Sequence, residues 1–311
     1  MKHLLKSVFM KVESPYGTSS NPTAAEVMLC ENVDINPLSM TVDDHAPVSS
    51  RFGQRDKILG ATWCTVNFDI VTGAGGTPVG ALGGVPSYDA VLRAGAMSRS
   101  ITPAERIIYS PIDSGEESAT IRYHVDTGNF LLLGVRGDLE WIFEAGKATR
   151  LRFTGLGLRV PMLDGASAAY SLPVRPRPLA MNNANTLVRL NETYSLKVQS
   201  MNIKLGNKIT YVNRSSQEEV LLEDRLSSGS ITFELPSVAE QNFLGAAGFC
   251  TALTQVSLWI AMSVGQPAGN RIGWYMPKVQ LLNPRLSGNK GTSMLTCDIH
   301  IVDNLLTKEF W

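Results

Sequence analysis

Residues 131–158, LLLGVRGDLEWIFEAGKATRLRFTGLGL, read as two strands joined by a tight turn. Leu139, Trp141 and Phe143 alternate with Asp138, Glu140 and Glu144, the period of two that gives a strand one buried face. Glu144-Ala145-Gly146-Lys147 supplies the turn, with Gly146 free to take a positive φ. The return strand sets Leu151 and Phe153 against Arg150, Arg152 and Thr154. The same order recurs near the end of the chain: Lys278 to Leu281, a loop over Ser287-Gly288-Asn289-Lys290-Gly291, then Leu295 to Ile301. Such an echo points to one unit present twice.

Working outward, four more elements have counterparts. Glu31–Leu38 (ENVDINPL) is answered by Gln199–Leu205, and Thr65–Ile70 (TVNFDI) by Ser230–Leu235 (SITFEL). A helix is predicted over Tyr88–Met97 and a second over Gln241–Phe249, where Phe243, Leu244, Ala246 and Phe249 share a face. Strands are predicted over Ala119–Val125 and Val256–Met262. Each unit is then mostly antiparallel sheet with one packed helix: a mainly β (α+β) chain of two tandem β-sandwich or partial-barrel domains. The boundaries expected are an N-terminal arm over 1–30, a first domain over 31–160, an extended linker over 161–195, a second domain over 196–303 and a tail over 304–311. Leu172-Pro173-Val174-Arg175-Pro176-Arg177-Pro178 marks the linker. Ser39–Gly60 reads as a long polar loop, the stretch ending in Asp224-Arg225 as another, and Gly73–Gly84 as a flexible glycine-rich one.

At 311 residues, with 44% apolar and 18% charged side chains and a net charge of zero, the chain can bury a sizeable core. Neutrality removes the bulk attraction that grips nucleic acid or an anionic membrane, and lowers the repulsion that keeps proteins monomeric. Cys30, Cys64, Cys250 and Cys297 lack CxxC spacing, so reduced thiols are expected in place of disulfides or zinc. The start, MKHLLKSVFMKVE, has no apolar core long enough for a signal peptide, and no run approaches a membrane span. A soluble product without a membrane partner is expected.

Catalytic chemistry finds no foothold. The histidines, His3, His45, His124 and His300, are dispersed, and Asp43-Asp44-His45 reads as a solvated loop in preference to a metal site. GxSxG, HExxH and GxxxxGK[ST] are all missing, and the glycine-rich loop lacks the lysine and hydroxyl that engage phosphate. Arg136-Gly137-Asp138 enters a strand, so its match to an integrin tripeptide is coincidental, and the Asn191 and Asn213 sequons need a secretion route the chain does not signal. Neither an enzyme nor a bound cofactor or metal is expected.

A series of short motifs carries a resemblance. They are Val12-Glu13-Ser14-Pro15-Tyr16-Gly17-Thr18, Leu59-Gly60-Ala61-Thr62-Trp63-Cys64-Thr65-Val66, Leu92-Arg93-Ala94-Gly95, Gly134-Val135-Arg136-Gly137, Glu144-Ala145-Gly146-Lys147 and Phe153-Thr154-Gly155-Leu156. In the second half come Leu205-Gly206-Asn207, Asp224-Arg225, Ser228-Gly229-Ser230 and Val279-Gln280-Leu281-Leu282-Asn283-Pro284. In this order the chain resembles the tail tube proteins of long-tailed bacteriophages. The resemblance implies subunits whose sheets join around a ring, and rings stacked into a hollow tube that conducts DNA to the host. It also implies a virion protein assembled in the host cytoplasm, with tape-measure and tail terminator or tip proteins as partners. With a doubled unit, three chains fill a six-domain ring; the alternative is a homohexamer with the second unit outside the wall. A different class, a glycan- or receptor-binding β-sandwich, predicts exposed aromatics clustered in loops.

Site expectations follow from the matched strands. Thr65, Asn67 and Asp69 in one unit and Ser230, Thr232 and Glu234 in the other are expected to line the lumen. Tyr16, Phe52, Arg55 and Arg225 are the residues expected at contacts between subunits.

Overall fold

The computed structural model describes residues 6–311 apart from 45–52, 55, 74–84, 104, 127, 166–169, 171–177, 246, 264–269 and 290. Strands dominate. The first half carries β1 (Lys6–Val12), β2 (Val27–Met28), β3 (Cys30–Asp44), β4 (Lys57–Val71), the helix α1 (Asp89–Ala94), β5 (Met97–Thr102), β6 (Arg106–Pro111), β7 (Ala119–Val125), β8 (Gly128–Glu144), β9 (Arg150–Arg159) and β10 (Leu163–Asp164). The second carries β11 (Thr186–Leu190), β12 (Tyr194–Ser195), β13 (Val198–Lys204), β14 (Asn207–Arg214), β15 (Gln217–Arg225), β16 (Ser228–Glu234), β17 (Val256–Met262), β18 (Ile272–Asn289), β19 (Thr292–Ile301) and β20 (Thr307–Phe310).

Pairing gives the two halves one strand order. In the first, β3, β4, β9 and β8 lie side by side, all antiparallel. In the second, β13, β16, β19 and β18 do the same. The halves join edge to edge: Ser200–Lys204 of β13 pairs with Glu144–Glu140 of β8. One antiparallel sheet of eight strands results, β3-β4-β9-β8-β13-β16-β19-β18. The early parts of the two longest strands leave this sheet to build a second layer. In the first half Gly128–Val135 of β8 pairs with β7, and β7 with β1. In the second, Ile272–Val279 of β18 pairs with β17, and β17 with β11.

Apolar residues at alternate positions of the long sheet fill the space between the layers. Phe68, Leu139, Trp141, Phe143, Phe153, Phe233 and Leu295 are all buried. Phe143 meets Trp274 edge to face with ring centroids 4.8 Å apart, the geometry that aromatic quadrupoles favour. Helix α1 buries Val91, Leu92 and Ala94 over the first half. Its C-terminal Gly95 lies so close to β8 that a Cβ there would sit 2.5 Å from Leu139, which requires glycine.

Several expectations are corrected. Within the arm expected over 1–30, residues 6–12 are not free: β1 pairs along its whole length with β7 and also with β2. Ser7, Val8, Phe9 and Met10 are buried in succession, because both faces of β1 are covered, and that erases the alternation a sequence reader looks for. Likewise the last residues are no tail; β20 pairs with β18 on one side and β6 on the other, stitching the halves together. The end of the expected linker is structured too, since Thr186–Leu190 pairs with Leu258–Met262. Leu172–Arg177, the heart of that linker, lies outside the described residues, as does most of the glycine-rich loop.

Much of the expected loop over Ser39–Gly60 is strand: β3 and β4 run on as a two-stranded ribbon as far as the Asp44–Lys57 pair. The polar stretch before Asp224 is also a ribbon, β14 paired with β15. Over 287–291 the loop shrinks, because Ser287, Gly288 and Asn289 pair with Met294, Ser293 and Thr292. The second helix does not form. Residues 241–245 and 247–249 carry no helix and make bends and turns in which Asn242 Oδ1 accepts from the Gly245 N–H at 2.7 Å, and Gly245 and Gly248 weaken helix propensity. Phe243 still fills the core there, its ring 4.9 Å from Phe233.

Candidate functional site

The face of the eight-strand sheet turned away from the core is the candidate site. Strand register carries it across the joint between the halves. One row runs Asp69, Arg152, Glu140, Lys204, Ser228; another runs Arg150, Ile142, Asn202, Ser230, Asp298. Thr65, Asn67 and Asp69 therefore share one face with Ser230, Thr232 and Glu234, which the sequence placed on equivalent strands without fixing their relation.

Charges on this face are paired. Asp69, almost wholly buried, accepts from Arg152 Nε at 3.0 Å and from Asn32 Nδ2 at 2.8 Å. Arg152 also reaches Glu140 at 3.6 Å, and Arg150 reaches Glu31 at 3.2 Å. In the second half Glu234 accepts from Lys197 at 3.1 Å and Arg285 lies 3.2 Å from Asp298. The uncharged residues are knit in the same way: Thr232 and Thr296 hydroxyls are 2.9 Å apart, and Asn202 accepts from Ser230 while donating to Glu140. Exposed pairs of this kind contribute little to stability, about 0–1 kcal/mol each. Their effect is on the potential, because no row presents a run of cations that would hold phosphate.

At the joint, Leu205 N–H donates to the Leu139 carbonyl at 2.8 Å and Asn207 N–H to Asp138 Oδ1 at 2.9 Å. Lys204 Nζ stands 3.6 Å from Asp138. Burial raises the Asp138 carboxyl above its usual pKa, against the hydrogen bond from Asn207 and the charge of Lys204. A cleft of about 330 Å³ opens here, lined by Asp138, Glu140, Arg152, Lys204 and Asn207 among others. Its donors and acceptors are largely engaged with one another, which suits a structural joint.

Two of the four residues expected between subunits are occupied within the chain. Tyr16 Oη accepts from the Val220 N–H at 2.6 Å, and the Arg136 guanidinium lies 4.8 Å from its ring centroid. Arg225 is buried: it donates to Asn207 Oδ1 at 2.8 Å, to the Ile112 carbonyl at 2.9 Å and to Asp113 at 3.1 Å. Both fasten the β14–β15 ribbon to the first half, a role invisible while that stretch reads as a loop. Phe52 and Arg55 lie outside the described residues.

Sequence reasoning did not locate the two open edges. The outer edge of β3 pairs with no other strand among the described residues, and the same is true of β18 beyond Val279. Leu38, Met40 and Val42 are exposed along the first, with Ile58 and Leu59 exposed on the adjoining β4, and Leu286 is exposed on the second. Among the described residues no cluster of three or more His, Cys, Asp or Glu is placed to hold a metal, and no helix is long and apolar enough to cross a membrane. His124 is buried edge-on against Phe9, where burial and Arg122 lower its pKa. No family model matches the chain, and no curated protein matches it either.

Proposed function

We propose that this protein is a structural subunit that assembles with copies of itself into stacked rings, forming the hollow tail tube of a bacteriophage through which DNA passes. The two halves act as tandem tail-tube domains. One observation carries the reading: a repeated four-strand order fused into one sheet whose first and last strands keep open edges. Open edges of this length are a hazard in a monomer and are normally blunted or covered. Here the last strand of the first half already pairs with the first strand of the second. Repeating that joint between β18 of one copy and β3 of the next is a head-to-tail contact, which closes into a ring.

With both halves in the wall, the dimensions favour three copies over six. Eight strands at a spacing of about 4.8 Å span about 38 Å, so three chains close a cylinder about 37 Å across and six close one about 73 Å across. The smaller bore suits a single duplex. The charge-paired polar face then lines it, with the side chains of Thr65, Asn67, Thr232 and their neighbours toward the DNA, which slides without specific binding. Tape-measure and terminator proteins are the partners this reading requires, and the virion is the place of action.

Electron microscopy of the purified chain at high concentration is the test. Tubes with three chains per ring and the polar face inward support the proposal. Six chains per ring with the second half outside the wall overturn the three-fold arrangement. A monodisperse monomer that binds a glycan favours a receptor-binding sandwich in its place.

A further inference from the structure

The connection between the first and second strands of each half takes two forms, and the contrast assigns a partner to an exposed surface. In the second half this connection is the β14–β15 ribbon, folded back over the first half. Val220 is fully buried there: its N–H donates to Tyr16 and its carbonyl accepts from Arg136 at 2.9 Å. Tyr211 stacks on Trp63 with centroids 5.4 Å apart. In the first half the same connection is the outer part of β3 and β4, a ribbon that projects into solvent. Met40 and Val42 are each 44% exposed, Ile58 52% and Leu59 60%. Val42 and Leu59 are direct partners across that ribbon, so their side chains form one apolar patch.

We infer that the β3–β4 ribbon straps onto the second half of the next copy of this chain, over β18 and β19, as β14–β15 straps onto β8 and β9 within the chain. The inference rests on the edge-to-edge reading above and adds a partner surface to it. Strand register locates the receiving site. Phe68 and Phe233 hold equivalent places, opposite Phe153 and Leu295. Leu139, opposite Phe153, therefore corresponds to Leu286, opposite Leu295, and Asp138 to Arg285. Leu286 is 64% exposed at the free edge, beside the exposed Asn283, Pro284 and Arg285. An apolar strap and an apolar acceptor thus stand at corresponding positions on opposite ends of the chain, where head-to-tail contact brings them together.

Cysteine cross-linking tests this in the full chain. Val42→Cys and Leu59→Cys are each combined with Leu286→Cys, and assembly is followed by mild oxidation and denaturing electrophoresis. Covalent species of two and three chains are expected, ending at three because the ring closes, and a mixture of a Leu59→Cys chain with a Leu286→Cys chain should stop at dimers. The native thiols Cys64, Cys250 and Cys297 are buried and should not contribute; Cys30 is only partly buried and is replaced by serine in every chain used. In parallel, Val42→Ser with Leu59→Ser should lower the assembled fraction at least ten-fold while the monomer keeps its unfolding temperature. If the unsubstituted chain forms rings but neither cysteine pair cross-links and the serine variant assembles fully, the strap is wrong and the edge-pairing reading stands. If the unsubstituted chain never assembles, both fall.

Discussion

Leu139 and Leu286 are the same residue type at the same place in the two halves, yet one is fully buried and the other 64% exposed. The difference lies in what stands across the strand edge. β8 meets β13 on its outer edge and α1 over its face, and there Leu139, Trp141 and Phe143 are all lost to solvent. Among the described residues no strand pairs with the outer edge of β18 in the same region, and its residues from Asn283 to Gly288 are exposed. Burial in this chain is therefore decided by neighbours across an edge and not by apolar character alone.

That comparison breaks or sharpens under substitution. The largest effect belongs to the closed joint. Trp141→Ala should cost about 3–5 kcal/mol in denaturant unfolding, the usual range for emptying a large aromatic site. A loss under about 1 kcal/mol would mean that the joint is not a packed core.

Lys308 should move stability the other way. It lies on β20, the second seam between the halves, fully buried with Nζ 3.7 Å from the Trp274 ring centroid and no hydrogen bond among the described residues. Burial drives its pKa well below the ordinary lysine value of 10.5. The unfolded chain therefore holds a proton the folded chain releases, over the window from the lowered pKa up to 10.5. Unfolding takes up that proton, so stability rises with pH across this window and the penalty is greatest below it. Lys308→Met should stabilise by roughly 1–4 kcal/mol at low to neutral pH, the range seen when buried charge gives way to packed apolar side chains. Its advantage should shrink as pH rises. A variant less stable than its parent at pH 6 would show that the cation–aromatic contact outweighs desolvation.

Arg225→Ala probes the third seam. The carbonyls of Ala96 and Ile112 and the amide of Asn207 lose their donor, at a cost of about 1–3 kcal/mol. Hydrogen exchange should then rise in β14 and β15 before it rises in β8. Uniform protection loss across the sheet would show that the ribbon is not a separate layer.

The smallest effect is predicted at the open edge. Leu286→Ala should change monomer stability by no more than about 0.5 kcal/mol, as surface substitutions usually do. Its consequence should appear only in assembly. A large destabilisation of the monomer would mean that the edge of β18 is already covered within one chain.

The order of the principal strands was legible in the sequence because each has one buried face. β8, β9, β16 and β17 all announce themselves through a period of two or a compact apolar run, and the match of TVNFDI with SITFEL puts Phe68 and Phe233 in equivalent places. The polar identity of Thr65, Asn67, Asp69, Ser230, Thr232 and Glu234 was legible for the same reason. Alternation is a local property, fixed by the pleat. Tertiary structure alone decided the rest. It made β1 and β20 integral strands: β1 is covered on both faces and shows no period, and β20, at 4 residues, is too short for its alternation to stand out. It turned two polar stretches into ribbons, since an exposed ribbon is held by backbone hydrogen bonds that any side chain permits. It replaced the second helix by turns around Asn242, Gly245 and Gly248, and it spent Tyr16 and Arg225 within the chain. Above all it set β8 against β13, placing both polar strand faces on one surface and leaving β3 and β18 open, because edge pairing depends on which backbones meet and leaves no mark on either strand's own sequence.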